Sequence, residues 1–176
     1  MSQASLPCIS LQTWCSAPIS TTTTTPRASS PCAPDMTIPS TSQKSPTFHD
    51  PEGGKLRGSN TIHLLEVGKL RVAHFGDLGC PLTPLQRADL LHLDVAMVPV
   101  GGYYTIGPEE AKALIDDLQP KVVIPMHYRM GQVGLPAVGE VEDFLSLVDD
   151  YVYYPGDTIS INRGTRPQIA VLSFQG

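Results

Sequence analysis

Two short, largely apolar runs, Asp94 to Val98 and Lys121 to Met126, constrain the fold of this chain most tightly. Neither alternates apolar with polar residues, so each reads as a buried strand, and Val122–Met126 expects neighbouring strands on both sides. Between them, Pro108 opens a helix that runs through Leu118. Its first turn carries Glu109 and Glu110, the charge that a helix amino terminus favours. Buried strand, helix and buried strand in that order point to an α/β fold.

The surrounding text fits this layering. Asn60 to Glu66, then Val67-Gly68, then Lys69 to Phe75 predicts a β-hairpin with a glycine-assisted turn. Thr83 is positioned as an N-cap with Pro84 at the first helical position, which predicts a helix through about His92. A third helix is expected over Glu140–Val148. The stretches Tyr151–Tyr154, Thr158–Ile161 and Ile169–Phe174 suggest two or three closing strands.

Residues 1–46 read differently. Ser, Thr and Pro dominate them, Thr21 to Thr25 form an unbroken run, and Arg27, Asp35 and Lys44 are their charged side chains. Such a segment buries too little apolar surface to offset the entropy of ordering it, so disorder is expected. Cys8, Cys15 and Cys32 match no zinc spacing, and nothing else points to the oxidising compartment a disulfide set needs. The expected organisation is therefore a disordered leader over 1–46 and one folded domain over 47–176.

Composition excludes several classes of function. A formal net charge of −5 over 176 residues argues against nucleic acid as a partner. No apolar run reaches the length of about 18 residues that reads as a membrane span, and the amino terminus has no basic and apolar signal pattern. A cytoplasmic protein is the expectation. Incomplete cover of the sheet would leave apolar edges exposed, which predicts a homo-oligomer or aggregation.

Three places set metal-competent side chains where an α/β fold binds ligands, at strand ends. In Val72-Ala73-His74-Phe75-Gly76-Asp77-Leu78-Gly79 the glycines allow a sharp turn around Asp77. In Ile124-Pro125-Met126-His127-Tyr128 an apolar strand delivers His127. In Thr47-Phe48-His49-Asp50 a histidine precedes Gly53-Gly54. Imidazole and carboxylate are the ligands that zinc takes. Each signal alone has a plainer reading: Asp77 as a turn residue, His127 as a hydrogen-bonded core histidine. His74 reads as packing, His63 and His92 as ordinary element residues, Asp157 as a turn, and Cys80 as small-residue packing.

Taken together these segments are more specific. The ordered set His49-Asp50, Arg57-Gly58-Ser59-Asn60-Thr61-Ile62, His74-Phe75-Gly76-Asp77-Leu78-Gly79, Asp94-Val95, Pro99-Val100-Gly101-Gly102 and Pro125-Met126-His127-Tyr128 resembles the metallo-β-lactamase superfamily. Within it, the text is similar to the branch containing ascorbate-6-phosphate lactonase. The resemblance covers about Thr47 to Gly176. It implies an αββα sandwich, here incomplete, with one or two zinc ions, or manganese, at the sheet edge. It implies His49, Asp77 and His127 as metal ligands, with Asp77 the bridging, catalytic carboxylate. The implied activity is hydrolysis of a lactone, ester or phosphate-bearing small molecule. Tyr103, Tyr104 and Tyr128 are candidates to place a hydroxyl on the substrate, against packing as the alternative.

The sequence departs from the family in one respect. The motif His-x-His-x-Asp-His is absent, and no histidine precedes His49. Three remaining ligands divided between two sites would bind zinc poorly, so impaired catalysis is expected. The alternative is a non-catalytic fragment or an interaction protein. One account of the gap is a shifted reading frame in the leader. Reading one base earlier turns every Thr codon into one for His, Asp, Asn or Tyr, so Ile19 to Thr25 can encode the missing motif. The coding DNA decides this: the codons of Pro18, Ser20 and Thr23 must end in C and that of Thr22 in G.

Overall fold

A computed structural model of the chain describes residues 9–10 and 40–173. Its strands are β1 (Ile9–Ser10), β2 (Ser40–Phe48), β3 (Ser59–Val67), β4 (Leu70–His74), β5 (Val95–Pro99), β6 (Val122–Met126), β7 (Val152–Tyr154), β8 (Thr158–Ile159) and β9 (Gln168–Leu172). Its helices are α1 (Pro84–Asp89), α2 (Pro108–Leu118) and α3 (Val141–Leu145). Seven strands form one mixed sheet in the order β2-β3-β4-β5-β6-β9-β7. Pairing is antiparallel from β2 through β4 and parallel from β4 through β7. A small second sheet pairs β1 with β8.

Side chains alternate across the main sheet and build a core on each face. Ile62, Leu64, Ala73, Ala96, Val98, Val123 and Val171 pack under the helices, against Leu90, Ala111, Leu118, Val141 and Phe144. Val72, Val95, Met97, Val122, Ile124 and Ala170 point the other way, against Ile159 and Ile161 of the β8 region. The fold is α/β, as expected from the sequence, with one helical layer, one large sheet and a small sheet beyond it.

The hairpin closes on the pair Val67 and Leu70, with Gly68 at φ 62°, where a residue without Cβ is favoured. Helix α1 has the expected Thr83 cap, and the structure shows that it is reciprocal. The Gln86 amide donates to Thr83 Oγ1 at 3.3 Å, and the Thr83 amide donates to Gln86 Oε1 at 2.8 Å. It ends at Asp89, short of His92, which sits at φ 60°. Helix α2 has the expected bounds and α3 is shorter than expected.

The amino-terminal boundary needs correction. Ser40–Pro46, expected to be disordered, form most of β2, which pairs with β3 in unbroken register from Ser40 and Val67 to Phe48 and Ser59. An edge strand is held by backbone hydrogen bonds along one side. The polar sequence of β2, exposed over Thr41–Lys44, therefore gives no alternation to read. Ile9–Ser10, also expected to be disordered, form β1 on β8; Cys8, Cys15, Cys32 and the Ile19–Thr25 segment lie outside the described residues. At the opposite edge, β7 exposes Val152 and Tyr153.

Candidate metal centre at the sheet rim

Three loops leave the sheet at the same rim. The first follows β2. His49 N–H donates to Gly58 O at 3.1 Å, closing the loop between them. Its interior is organised by Asp50, which is fully buried. Asp50 Oδ1 accepts from the amides of Glu52 (2.9 Å) and Gly54 (3.0 Å), and Oδ2 from those of Leu56 (3.1 Å) and Arg57 (2.7 Å). Burial pushes this carboxyl up, but the amide bonds together outweigh it and hold it below the ordinary aspartate value. Asp50 is thus a loop organiser beside His49.

The second loop follows β4 and carries Asp77. Gly76 stands at φ 60°, and a Cβ there would run into Asn60 Oδ1. That oxygen accepts the Asp77 amide at 3.0 Å, while Asn60 Nδ2 donates to Phe75 O at 2.9 Å and Thr47 Oγ1 at 2.8 Å. One asparagine therefore fixes the backbone on both sides of Gly76 to the β2–β3 pair. Gly79 completes the closure: its amide donates to Phe48 O at 3.0 Å, and a Cβ would meet the His49 carbonyl group. The Asp77 and His49 loops are in backbone contact because this residue has no side chain.

The third loop follows β6. His127 adopts φ 55°, a left-handed conformation that costs a non-glycine residue on the order of 1–3 kcal/mol and collects at functional sites. Its carbonyl lies against Gly101, where a Cβ would not fit. The turned backbone presents Nδ1 of His127 to Asp77 Oδ1 at 3.0 Å. This bond, with smaller electrostatic contributions from His127, His49 and His74 and opposed by burial, holds the Asp77 carboxyl below its usual range. His49 thus lies within electrostatic reach of Asp77.

His74, read from the sequence as packing, does more. Its Nδ1 accepts the Gly76 amide at 3.0 Å and braces the turn before Asp77. Burial first, then electrostatic contributions from His127 and His63, lower its pKa, with Asp77 opposing. An imidazole that accepts at Nδ1 carries its proton on Nε2, so His74 acts here as a brace for the turn, with its Nδ1 lone pair already used.

The donor pair suits a metal in part. Ligands bound to zinc at about 2.0–2.1 Å in tetrahedral geometry lie about 3.3 Å apart, close to the spacing of His127 and Asp77. No three His, Cys, Asp or Glu side chains among the described residues are grouped closely enough to hold an ion. The structure therefore brings Asp77 and His127 into contact, leaves His49 within electrostatic reach of Asp77, and among the described residues completes no three-ligand set.

The tyrosines divide. Tyr128 packs on the helix-side core and donates to Leu172 O at 3.3 Å, with burial pushing its hydroxyl up to about 12, which fits the packing alternative. Tyr103 and Tyr104 stand at the rim, 65% and 38% exposed, with ring centroids 4.6 Å apart edge to face. The guanidinium carbon of Arg57 lies 5.6 Å from the Tyr104 ring centroid. Cys80 is partly buried and packs on the same core as Tyr128, as expected. Asn60 went unread as a site residue. An asparagine opening a strand, a place strands disfavour, is the signal that marks Asn60.

A mixed sheet with helices on one face and a histidine–carboxylate cluster at the strand ends defines a layered α/β protein with its site at the rim. Residues 38–127 match the family model for the beta-lactamase superfamily domain, and the chain belongs to that superfamily. It is similar to a metal-dependent hydrolase of Thermococcus onnurineus, 28% identical over 123 residues, covering 66% of this chain and 53% of that protein. It is 36% identical over 110 residues to a metal-dependent hydrolase of Deinococcus radiodurans, covering 61% and 48% of the two. A solved structure of a candidate Zn-dependent hydrolase of the metallo-beta-lactamase superfamily from Thermotoga maritima superposes with TM-score 0.65 at 36% identity. That match covers 76% of this chain and 64% of the other. The chain spans about half the length of the curated relatives it matches. Among the described residues no helix is long and apolar enough to cross a membrane.

Proposed function

We propose that the chain is a zinc-dependent hydrolase acting on a lactone, ester or phosphate-bearing small molecule, in the branch that includes ascorbate-6-phosphate lactonase. The observation that carries this reading is the Asp77–His127 contact at 3.0 Å, made by a histidine in strained backbone at a strand end. His49, Asp77 and His127 are the ligands this reading assigns, with Asp77 central, and manganese is the other metal to test. Bound metal supplies Lewis acidity and acidifies a water at neutral pH. The chain's own residues do the positioning. Asn60 and His74 hold the Asp77 turn, Asp50 holds the His49 loop, and Gly79 lets the two loops touch. Because the donor set is short, weak zinc binding and slow turnover are expected. Metal content of the purified chain, with melting temperature before and after EDTA, tests the reading. Bound zinc with a melting temperature lowered by chelator supports it; a metal-free chain indifferent to EDTA overturns it.

The second reading is a non-catalytic fragment or interaction protein, favoured by the missing three-donor group among the described residues. A net charge of −5 supports a small-molecule or protein partner over nucleic acid, and a cytoplasmic setting is proposed with it. Exposed Val152 and Tyr153 on edge strand β7 support self-association, which light scattering reads directly.

A further inference from the structure

An arginine unused by the hydrolase reading stands at the same rim. Arg57 is exposed at its side chain, yet its backbone is fixed: its amide donates to Asp50 Oδ2 at 2.7 Å, and the next residue, Gly58, accepts the His49 amide at 3.1 Å. The loop that presents His49 therefore presents Arg57 as well. Tyr104 comes from the loop after β5, tied at one end by Gly101 against the His127 carbonyl. At the other end Ile106 N–H donates to Leu78 O at 2.8 Å, one residue past Asp77. The two loops meet where the Arg57 guanidinium lies 5.6 Å from the Tyr104 ring centroid, inside the about 6 Å range of a cation–π contact.

The charge of Arg57 is otherwise unanswered. Arg71, Arg87 and Arg129 each face a carboxylate, of Glu66, Asp117 and Glu140 respectively. Arg57, like Arg163 and Arg166, faces none among the described residues, and of these three it is the one placed over an aromatic ring. A ring beneath the guanidinium steadies its plane and contributes no hydrogen-bond acceptor, so the N–H groups along its edge stay free. That is the arrangement that receives an oxyanion, two oxygens against two N–H groups.

We propose that Arg57, seated on Tyr104, binds a non-reacting carboxylate or phosphate group of the substrate, so that the site prefers anionic substrates over neutral ones. This rests on the hydrolase reading for the word substrate, but the binding of an oxyanion stands apart from it. Arg57 is a specificity residue here and takes no part in bond breaking.

Two measurements on the full chain separate the ideas. In the first, sodium phosphate and sodium acetate are titrated separately into metal-free protein while the Arg57 Nε–H and Tyr104 ring signals are followed by NMR. A saturable shift with either anion, lost in Arg57→Gln, supports the proposal, and the stronger anion names the group. No shift with either overturns it, whether or not the chain hydrolyses anything. In the second, zinc-loaded chain is assayed on matched esters or lactones that differ by one carboxylate or phosphate. Arg57→Gln is expected to raise KM for the charged member about 10- to 100-fold, with kcat changed less than about threefold and the neutral member unaffected. Equal losses on both members overturn the proposal. If no ester or lactone is turned over by the unmutated chain, the hydrolase reading fails and the anion titration decides Arg57 alone. Arg57→Gln keeps the backbone amide that Asp50 holds, so a folding defect is not expected.

Discussion

Replacing Asn60 by alanine removes three hydrogen bonds at once: to the Asp77 amide at 3.0 Å, the Phe75 carbonyl at 2.9 Å and the Thr47 hydroxyl at 2.8 Å. Phe75 and Thr47 are buried, so their oxygens gain no full access to water after the change. At about 1 kcal/mol net per bond, with some added penalty for the orphaned groups, the loss comes to about 3 kcal/mol. For a chain of this size that lowers the melting temperature by about 6–12 °C. The loss is also local, since the Asp77 turn is what Asn60 holds. Asn60→Ala should raise hydrogen exchange at the Asp77 amide and weaken zinc binding about 10- to 100-fold, the usual scale for residues that support a ligand. Asn60→Asp makes the comparison sharp. It keeps the oxygen that accepts the Asp77 amide and loses the two Nδ2–H bonds, so it should be destabilised while the Asp77 amide stays protected. A melting temperature for Asn60→Ala within about 1 °C of the parent, with unchanged Asp77 exchange, refutes the account of Asn60 as the residue that fixes this turn.

Other expectations concern the neighbouring loops. In Gly79→Ala the new methyl meets the His49 carbonyl, so the His49 and Asp77 loops must part; about 1–3 kcal/mol of stability should be lost in urea melts, together with zinc uptake. Asp77→Asn and His127→Ala should each abolish measurable zinc binding by calorimetry while circular dichroism stays close to the parent, since both side chains stand at the rim. Asp50 gives a pH dependence in metal-free protein. Its folded pKa lies below the unfolded value of 3.8, so its stabilisation is present above that pH and is lost as the pH falls from there through the folded pKa. Asp50→Asn should flatten this acid limb and raise exchange at the amides of Glu52, Gly54, Leu56 and Arg57; an acid limb identical to the parent counts against the role of the carboxylate.

Much of the layering was legible in the sequence because it follows from local rules. Helix α2 is bounded by Pro108 and the end of its acidic-led pattern, α1 starts at a Thr–Pro signal, and β5 and β6 are apolar throughout. Chain order and residue type were also enough to nominate Asp77 and His127, which the fold brings into contact. Strand β2 was invisible for the opposite reason. Its pairing is made by backbone groups, which every residue carries, and its side chains have no apolar face to reveal it.

What the sequence determined by itself is the succession of elements and the chemical types at their ends, since both depend on neighbours within a few residues. Only the tertiary structure decided which of those ends converge. Asn60 and Asp77 are seventeen positions apart in the chain, and no local pattern announces that one holds the amide of the other. Arg57 and Tyr104 meet only because two loops are anchored on opposite sides of the same rim. Contacts of this kind arise from strand order and register, which are set by the packing of the whole sheet and not by any one segment of it.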